Sequence, residues 1–256
     1  MIKIIFLGTG TSQGIPIPGS NHPVCLSNDP KDKRLRSSIM IEWDDNKYLI
    51  DCGPDFRQQM LKIKCNKIDG ILFTHEHADH IRGIDDLRPY SYRQGNIQIY
   101  GTKRLIESLN KYYPYIFNLN QKYPGSASFN INTIKKDESF YLSDKEIIPI
   151  EVMHQKLPVL GFRVDKFAYL TDVKTISSNE IKKLSNLDVL VINTLRLESH
   201  PSHLNLSEAI AIIKNINPKK TFLTHISNQL GFHKEVSKEL PENIFLAYDG
   251  MEINLK

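Results

Sequence analysis

Residues 75–80 read HEHADH, so four potential metal ligands fall within six positions. The segment directly follows the apolar run 70–74, which predicts a short buried strand. His75 and His77 are two residues apart, a spacing that places both side chains on one side of an extended chain but not on one face of a helix. We therefore expect these ligands in the turn after the strand, with Asp79 and His80 where the next helix begins.

Three further potential ligands each end an apolar run. They are His154 after residues 150–153, Asp172 after 168–171, and His225 after 222–224, the last run being the predicted terminal strand. Taken alone, a histidine is more often packed or solvated than coordinating, and an aspartate at a helix start is often its cap. Seven such residues at strand ends favour a metal site instead.

Segment 75–80 matches the HxHxDH motif of the metallo-β-lactamase superfamily, and the three later residues match its remaining ligands in order. The resemblance covers essentially the whole chain and implies one domain over residues 1–256 with an α/β fold, the αββα four-layer sandwich. It also implies two divalent metal ions per chain. The implied ligands are His75, His77 and His154 for one ion, Asp79, His80 and His225 for the other, and Asp172 as the bridge.

The water between two such ions is acidified to hydroxide and attacks the substrate. The resemblance implies Asp79, Asp172 and His203 as catalytic residues, with His203 donating a proton to the leaving oxygen or binding phosphate, and with His200 as the competing candidate. Imidazole and carboxylate together fit Zn or Mn, and Fe is a further candidate. Asp51 matches a strand-end aspartate that orients ligands in the family, although an aspartate here would also suit a turn.

The opening segment 7–14, LGTGTSQG, helps to indicate which branch of the superfamily the chain resembles. Together with residues 29–32, His203 and the ending 248–253, it resembles the phosphodiesterase family of the bacterial carbon-phosphorus lyase pathway, which hydrolyses cyclic ribose phosphates. That family implies a phosphoric diester hydrolase acting on small or cyclic phosphodiesters, and a homodimer. Its structural zinc site is expected to be absent here, because serine and asparagine are poor zinc ligands. The corresponding residues are Ser20, His22, Cys25 and Asn228.

Three other functions stay open. A ribonuclease Z-like tRNA processing nuclease shares the motif, but the sequence has no glycine-rich basic arm and a formal net charge of only +4. A lactonase or thioesterase would use the same hydroxide on a carbonyl carbon. A noncatalytic binding module would be expected to lose ligands that this chain retains. A small phosphodiester is the predicted partner, nucleic acid is less favoured but kept open, and no membrane partner is expected.

Composition adds a location and several local predictions. Three cysteines without CxxC spacing and the lack of a long apolar run predict a reducing, cytoplasmic environment. A helical stretch is predicted over 81–92, and a helix over 206–216 capped by Asn205 or Ser207. The aromatic stretch 112–123 is predicted to be a lid or a cover over a sheet end. The candidate phosphate clamps, which are alternatively surface charges, are Lys33, Arg34, Arg36 and Arg88.

Overall fold

The computed structural model describes residues 1–118 and 120–255. Leu119, inside the aromatic stretch 112–123, and Lys256 lie outside the described residues, and both belong to the predicted domain 1–256. The chain divides into two compact units. The first unit comprises Met1–Leu7, Ser38–Lys135 and Glu252–Lys256, and the second comprises Gly8–Ser37 and Lys136–Met251.

Within the described ranges, the strands belong to two mixed sheets, one in each unit. The strands are β1 Ile2–Gly8, β2 Ser38–Trp43, β3 Asn46–Ile50, β4 Gly70–Leu72, β5 Ile97–Gly101, β6 Phe129–Thr133, β7 Phe140–Leu142, β8 Lys145–His154, β9 Leu157–Val164, β10 Phe167–Leu170, β11 Thr175–Ile176, β12 Val189–Asn193, β13 Lys220–Thr224, β14 Ile244–Leu246 and β15 Glu252–Leu255. The helices are α1 Pro23–Leu26, α2 Phe56–Ile63, α3 Ala78–Ile81, α4 Arg88–Gln94, α5 Lys103–Tyr112, α6 Pro114–Phe117, α7 Ser178–Lys182, α8 Leu206–Ile216 and α9 His233–Glu239. No described helix is long and apolar enough to cross a membrane.

The sheet of the first unit has the strand order β15-β1-β2-β3-β4-β5-β6. Its hairpin β2–β3 turns through Asp44 and Asp45, whose φ angles of 45° and 65° are those that a tight two-residue hairpin turn requires. From β3 to β6 the strands run parallel, so their carboxyl ends meet at one edge of the sheet. Asp51 after β3 and the ligand segment after β4 therefore come to the same edge.

The predicted helical stretch over residues 81–92 is helical over most of its length, but it is not one continuous helix. The segment consists of α3, a 3-10 turn at Ile84–Leu87, and α4. Pro89 lies in the first turn of α4, where its missing N–H is tolerated, but a proline there cannot continue a preceding helix. Gly83 separates the first two pieces and donates its N–H to the Cys52 carbonyl at 2.8 Å.

Replacing Gly83 with alanine is expected to destabilise the protein by about 1–3 kcal/mol or more through overpacking. An added Cβ would lie 2.2 Å from the Gly53 carbonyl oxygen and 2.6 Å from the Phe56 Cβ, and neither neighbour is the end of a flexible side chain. Denaturant unfolding measures the change. At Gly19, where nothing lies within 4 Å, the same substitution carries backbone strain but no clash. Equal losses at the two positions would contradict the packing argument.

The sheet of the second unit has the order β11-β8-β9-β10-β12-β13-β14, with β7 paired to β8. β10, β12, β13 and β14 run parallel, so residues that follow β10 and β13 come to one edge, and these residues include Asp172 and His225. The structure corrects the prediction that β13 is the terminal strand, because β14 and β15 follow it. Asn205 rather than Ser207 is the N-cap residue of α8, since Asn205 and Glu208 form a reciprocal capping box.

Candidate metal centre

The ligand segment of the first unit brings three histidines together. His75 and His80 are buried, whereas His77 is exposed and is the N-cap residue of α3. The ring of His75 lies 4.5 Å from that of His77 and 4.3 Å from that of His80, centroid to centroid. Asp79 completes the group, because its Oδ2 atom lies 3.1 Å from His80 Nε2. Asp79 and His80 thus lie in the first helical turn after the strand, as predicted.

Asp51 fixes the orientation of His80. Its buried Oδ2 atom lies 2.6 Å from His80 Nδ1, and its Oδ1 atom accepts a hydrogen bond from the Thr74 N–H at 2.9 Å. Burial raises the pKa of Asp51, and His80 and Thr74 oppose that rise. With Nδ1 of His80 engaged by Asp51, Nε2 is the nitrogen left to bind a metal. The φ of 64° at Asp51 shows that the residue also turns the chain, so the two predicted roles coexist.

Replacing Asp51 with asparagine is expected to weaken metal binding by about 10–100-fold, the usual cost of losing an outer partner of a ligating histidine. The amide keeps the size of the side chain but removes the charge beside His80 Nδ1. Competitive titration of Zn against a chelator measures the affinity. Asp69→Asn is the matched control, because Asp69 accepts a hydrogen bond from Lys47 N and lies outside the ligand group. Unchanged affinity in Asp51→Asn would contradict the orienting role.

In the second unit, three histidines surround Asp172. Asp172 Oδ1 lies 3.5 Å from His225 Nε2, 3.5 Å from His203 Nδ1 and 4.0 Å from His154 Nδ1. His154 Nδ1 also lies 2.8 Å from the Ser202 carbonyl oxygen, so this nitrogen carries the proton and Nε2 is the one available to a metal. His154, Asp172 and His203 each offer a ligand atom within 4.8 Å of the others.

The backbone on both sides of Asp172 is held in place. Thr171 Oγ1 donates to Asp172 Oδ2 at 2.7 Å, and Asp172 itself has a left-handed φ of 57°. On the other side, the buried side chain of Asn193 accepts from Val173 N at 2.6 Å and donates to the Val173 carbonyl at 3.1 Å. The strand-end carboxylate is therefore preorganised before any ligand binds.

His203, not His200, is the histidine beside Asp172. The ring of His203 stacks on that of His225 at 4.9 Å and lies 4.5 Å from that of His154, centroid to centroid. The ring of His200 lies 5.1 Å from that of His203. Burial, and next the proximity of His225, lower the pKa of His203 to about 3. Among the described residues its Nδ1 atom has no hydrogen-bond partner. Three imidazoles gathered round one carboxylate form a donor set that fits Zn or Mn.

The predicted phosphate clamps are engaged elsewhere. Arg34 is buried and donates to Thr9 Oγ1 at 2.7 Å and to the Ala247 carbonyl at 2.6 Å, so the prediction of a surface charge or clamp is wrong for this residue. The Arg88 guanidinium forms a two-pronged pair with Asp85 at 2.6 to 3.0 Å. A basic residue that the sequence analysis missed, Arg82, lines a cleft of 460 Å³ beside His77.

Two of the residues that correspond to the family's structural zinc site make other contacts. His22 Nδ1 accepts a hydrogen bond from Val24 N at 3.3 Å and so caps α1. Ser20 Oγ in turn accepts from His22 N at 3.2 Å. The absence of this zinc site stays a prediction, supported by the chemistry of Ser20 and Asn228.

Comparisons with known proteins agree on one family. Residues 46–226 match the model of the β-lactamase superfamily domain. An octanoyltransferase of Porphyromonas gingivalis is 39% identical over 253 residues, which are 98% of this chain but 51% of that protein, so the chain spans about half its length. A ribonuclease Z of Listeria monocytogenes is 25% identical over 314 aligned positions, covering 97% of each chain. The crystal structure of a new diphosphatase from the PhnP family superposes with a TM-score of 0.93 at 35% identity, covering 100% of this chain and 98% of that one.

Proposed function

This chain belongs to the β-lactamase superfamily, and we propose that it is a two-metal phosphodiesterase acting on small or cyclic phosphodiesters. Membership confirms the predicted metallo-β-lactamase α/β fold and the prediction of a metal-dependent hydrolase. The observation that carries the finer proposal is the similarity to the PhnP-family diphosphatase over the full length of both chains. Because that relative is a diphosphatase, we propose that the nucleophile attacks a phosphorus atom in this protein as well.

The proposed ligands are those that the family order assigns. His75, His77 and His154 would hold one ion, Asp79, His80 and His225 the other, and Asp172 would bridge them. Two contacts support this arrangement: Asp51 holds His80 with Nε2 available, and the Ser202 carbonyl does the same for His154. If bound there, the two ions would supply an acidified water molecule as nucleophile and positive charge beside the oxygens under attack.

The chain's own residues position the substrate. His203 lies beside Asp172 and is proposed to hydrogen-bond the phosphate or the leaving oxygen as a neutral imidazole, since burial lowers its pKa to about 3. Thr171 fixes the carboxyl group of Asp172 at the centre of the three histidines. Because the His203 side chain is only 12% exposed, its imidazole would face the bound substrate with little competition from bulk water.

Two alternatives keep specific support. Ribonuclease Z matches over nearly its full length, although at 25% identity. The octanoyltransferase match favours an acyl substrate, but this chain corresponds to only about half of that protein. A noncatalytic module is disfavoured, because the ligand positions that such a module would lose are retained here. A homodimer is proposed on the family resemblance, and a cytoplasmic location on the cysteine pattern and the lack of a long apolar run.

A substrate panel separates these functions. Enzyme loaded with Mn or Zn would be offered bis-p-nitrophenyl phosphate, a ribose cyclic phosphate, a lactone, an octanoyl thioester and a precursor tRNA. The proposal expects turnover of the two phosphodiesters only. Turnover confined to the lactone or thioester would replace it with a carbonyl hydrolase, and cleavage confined to tRNA would replace it with a ribonuclease Z-like nuclease.

A further inference from the structure

A cleft of 460 Å³ opens beside His77 within the first unit. This volume lies in the range of small-molecule sites, which is roughly 300–1,000 Å³. One wall is the ligand segment and α3, including Glu76, His77 and Arg82. The opposite wall is the start of the aromatic stretch, Tyr112 and Tyr113. A molecule in this cleft would therefore contact a proposed metal ligand.

The charges along the cleft favour an anion. Glu76 Oε1 lies 2.9 Å from Arg104 Nε, so its negative charge is neutralised by an ion pair. The exposed Arg82 guanidinium, by contrast, forms no salt bridge with any residue that the structure describes. Lys111 adds a second cation near the rim, with its Nζ atom 5.9 Å from the ring centre of Tyr112. A planar guanidinium with free N–H groups is well suited to phosphate oxygens.

The aromatic wall favours a flat ring system. Tyr112, the last residue of α5, is 59% exposed although it is a large aromatic side chain. Tyr113 next to it is held by its backbone N–H to the Leu109 carbonyl at 2.9 Å and by an edge contact with Tyr115 at 6.4 Å between ring centres. Exposed aromatic rings bind nucleobases by stacking. The same wall carries Ala78 and Ile81 beside Glu76, His77 and Arg82, so the cleft combines apolar surface with polar groups, as a nucleoside phosphate requires.

We infer that this cleft binds the nucleoside part of a nucleotide substrate, with the base on the ring of Tyr112 and a phosphate oxygen at Arg82. The inference rests on the proposed function, because it assigns the substrate class of that same hydrolytic site. It also gives the aromatic stretch a role: its first two residues form one wall of the substrate cleft. A single nucleotide fits a cleft of this volume better than a nucleic acid strand does.

Two esters with the same leaving group test the inference. Thymidine 5′-(p-nitrophenyl phosphate) carries a base, and methyl p-nitrophenyl phosphate does not. Tyr112→Ala is expected to lower kcat/KM for the thymidine ester about tenfold more than for the methyl ester, since one stacked base contributes that much. Tyr112→Phe should retain most of the preference, and Arg82→Gln should raise KM for both esters. Tyr92→Ala is the control, because Tyr92 is 74% exposed and does not line the cleft.

Binding of AMP to the Zn-loaded protein, measured by calorimetry, keeps the inference testable without turnover. Tyr112→Ala and Arg82→Gln should each weaken AMP binding about tenfold relative to Tyr92→Ala. If no phosphodiester is hydrolysed but AMP binding depends on Tyr112, the proposed function fails and the cleft assignment stands. Equal losses on both esters in Tyr112→Ala, or AMP affinity that none of the variants changes, would overturn the inference. Tyr112-dependent binding of an oligonucleotide without binding of AMP would also overturn it.

Discussion

Replacing Asp172 with alanine is expected to lower kcat/KM for a phosphodiester by at least about a thousandfold, since a metal pair contributes several kcal/mol to transition-state stabilisation. Asp172 Oδ1 lies 3.5 Å from both His203 Nδ1 and His225 Nε2, so its removal takes away the carboxylate that both histidines face. Bound metal should fall in parallel. Metal content by mass spectrometry and steady-state kinetics measure the two effects.

Asp165→Ala is the matched control for the loss of an aspartate in the second unit. Asp165 is half exposed and pairs with Lys145 on the surface at 2.7 Å, so its loss should change neither metal content nor turnover. Thermal unfolding of both variants separates a lost metal from a lost fold. Full metal content together with wild-type turnover in Asp172→Ala would remove the proposed bridging role.

Replacing His203 with alanine is expected to spare the metals and to lower turnover by about 10²–10⁴-fold, the usual contribution of a positioned acid or base. The His203 ring stacks on His225 beside Asp172, so it lies next to the proposed metal ligands. The family resemblance, however, does not make His203 a ligand itself. Single-turnover kinetics with metal content determined on the same sample measures both quantities.

His200→Ala provides the comparison that the sequence alone could not settle. His200 stands 5.1 Å from His203, and its Nδ1 atom accepts a hydrogen bond from Ser202 N. We expect only a small effect on turnover. Loss of metal from His203→Ala would make His203 a ligand instead, an outcome that the spacing of His154, Asp172 and His203 makes testable. Equal losses of turnover in both variants would contradict the assignment to His203.

The positions of Asp172 and His225 at strand ends could be predicted because each follows an apolar run that is visible in the sequence, whereas their role as ligands stays a prediction from the family resemblance. The strand β10 is fully buried and Asp172 follows it after one residue. The strand β13 is almost fully buried and His225 follows it directly. The strand β6 was not predicted, because it is five residues long, contains two asparagines, which are depleted in strands, and exposes its central Ile131. Continuous apolar runs thus predicted the strands that precede Asp172 and His225 clearly, whereas the partly exposed strand β6 gave no such run.

Other features depend on tertiary contacts that a sequence does not display. Arg34 resembled a surface charge, but its partners Thr9 and Ala247 are remote in the chain. Gly83 divides the predicted helix because Gly53 and Phe56 pack against it. The choice of His203 over His200 required the distance to Asp172. Arg82 carried no signal of its own, although the neighbouring aromatic stretch marked the opposite wall of its cleft.

Metal reconstitution tests directly whether the protein is a two-metal phosphodiesterase. Metal-stripped protein would be titrated with Zn or Mn while bound metal and hydrolysis of bis-p-nitrophenyl phosphate are followed on the same samples. The proposal predicts no activity without metal and full activity at about two ions per chain. Full activity in the stripped protein, or saturation of activity at one ion, would contradict a two-metal phosphodiesterase.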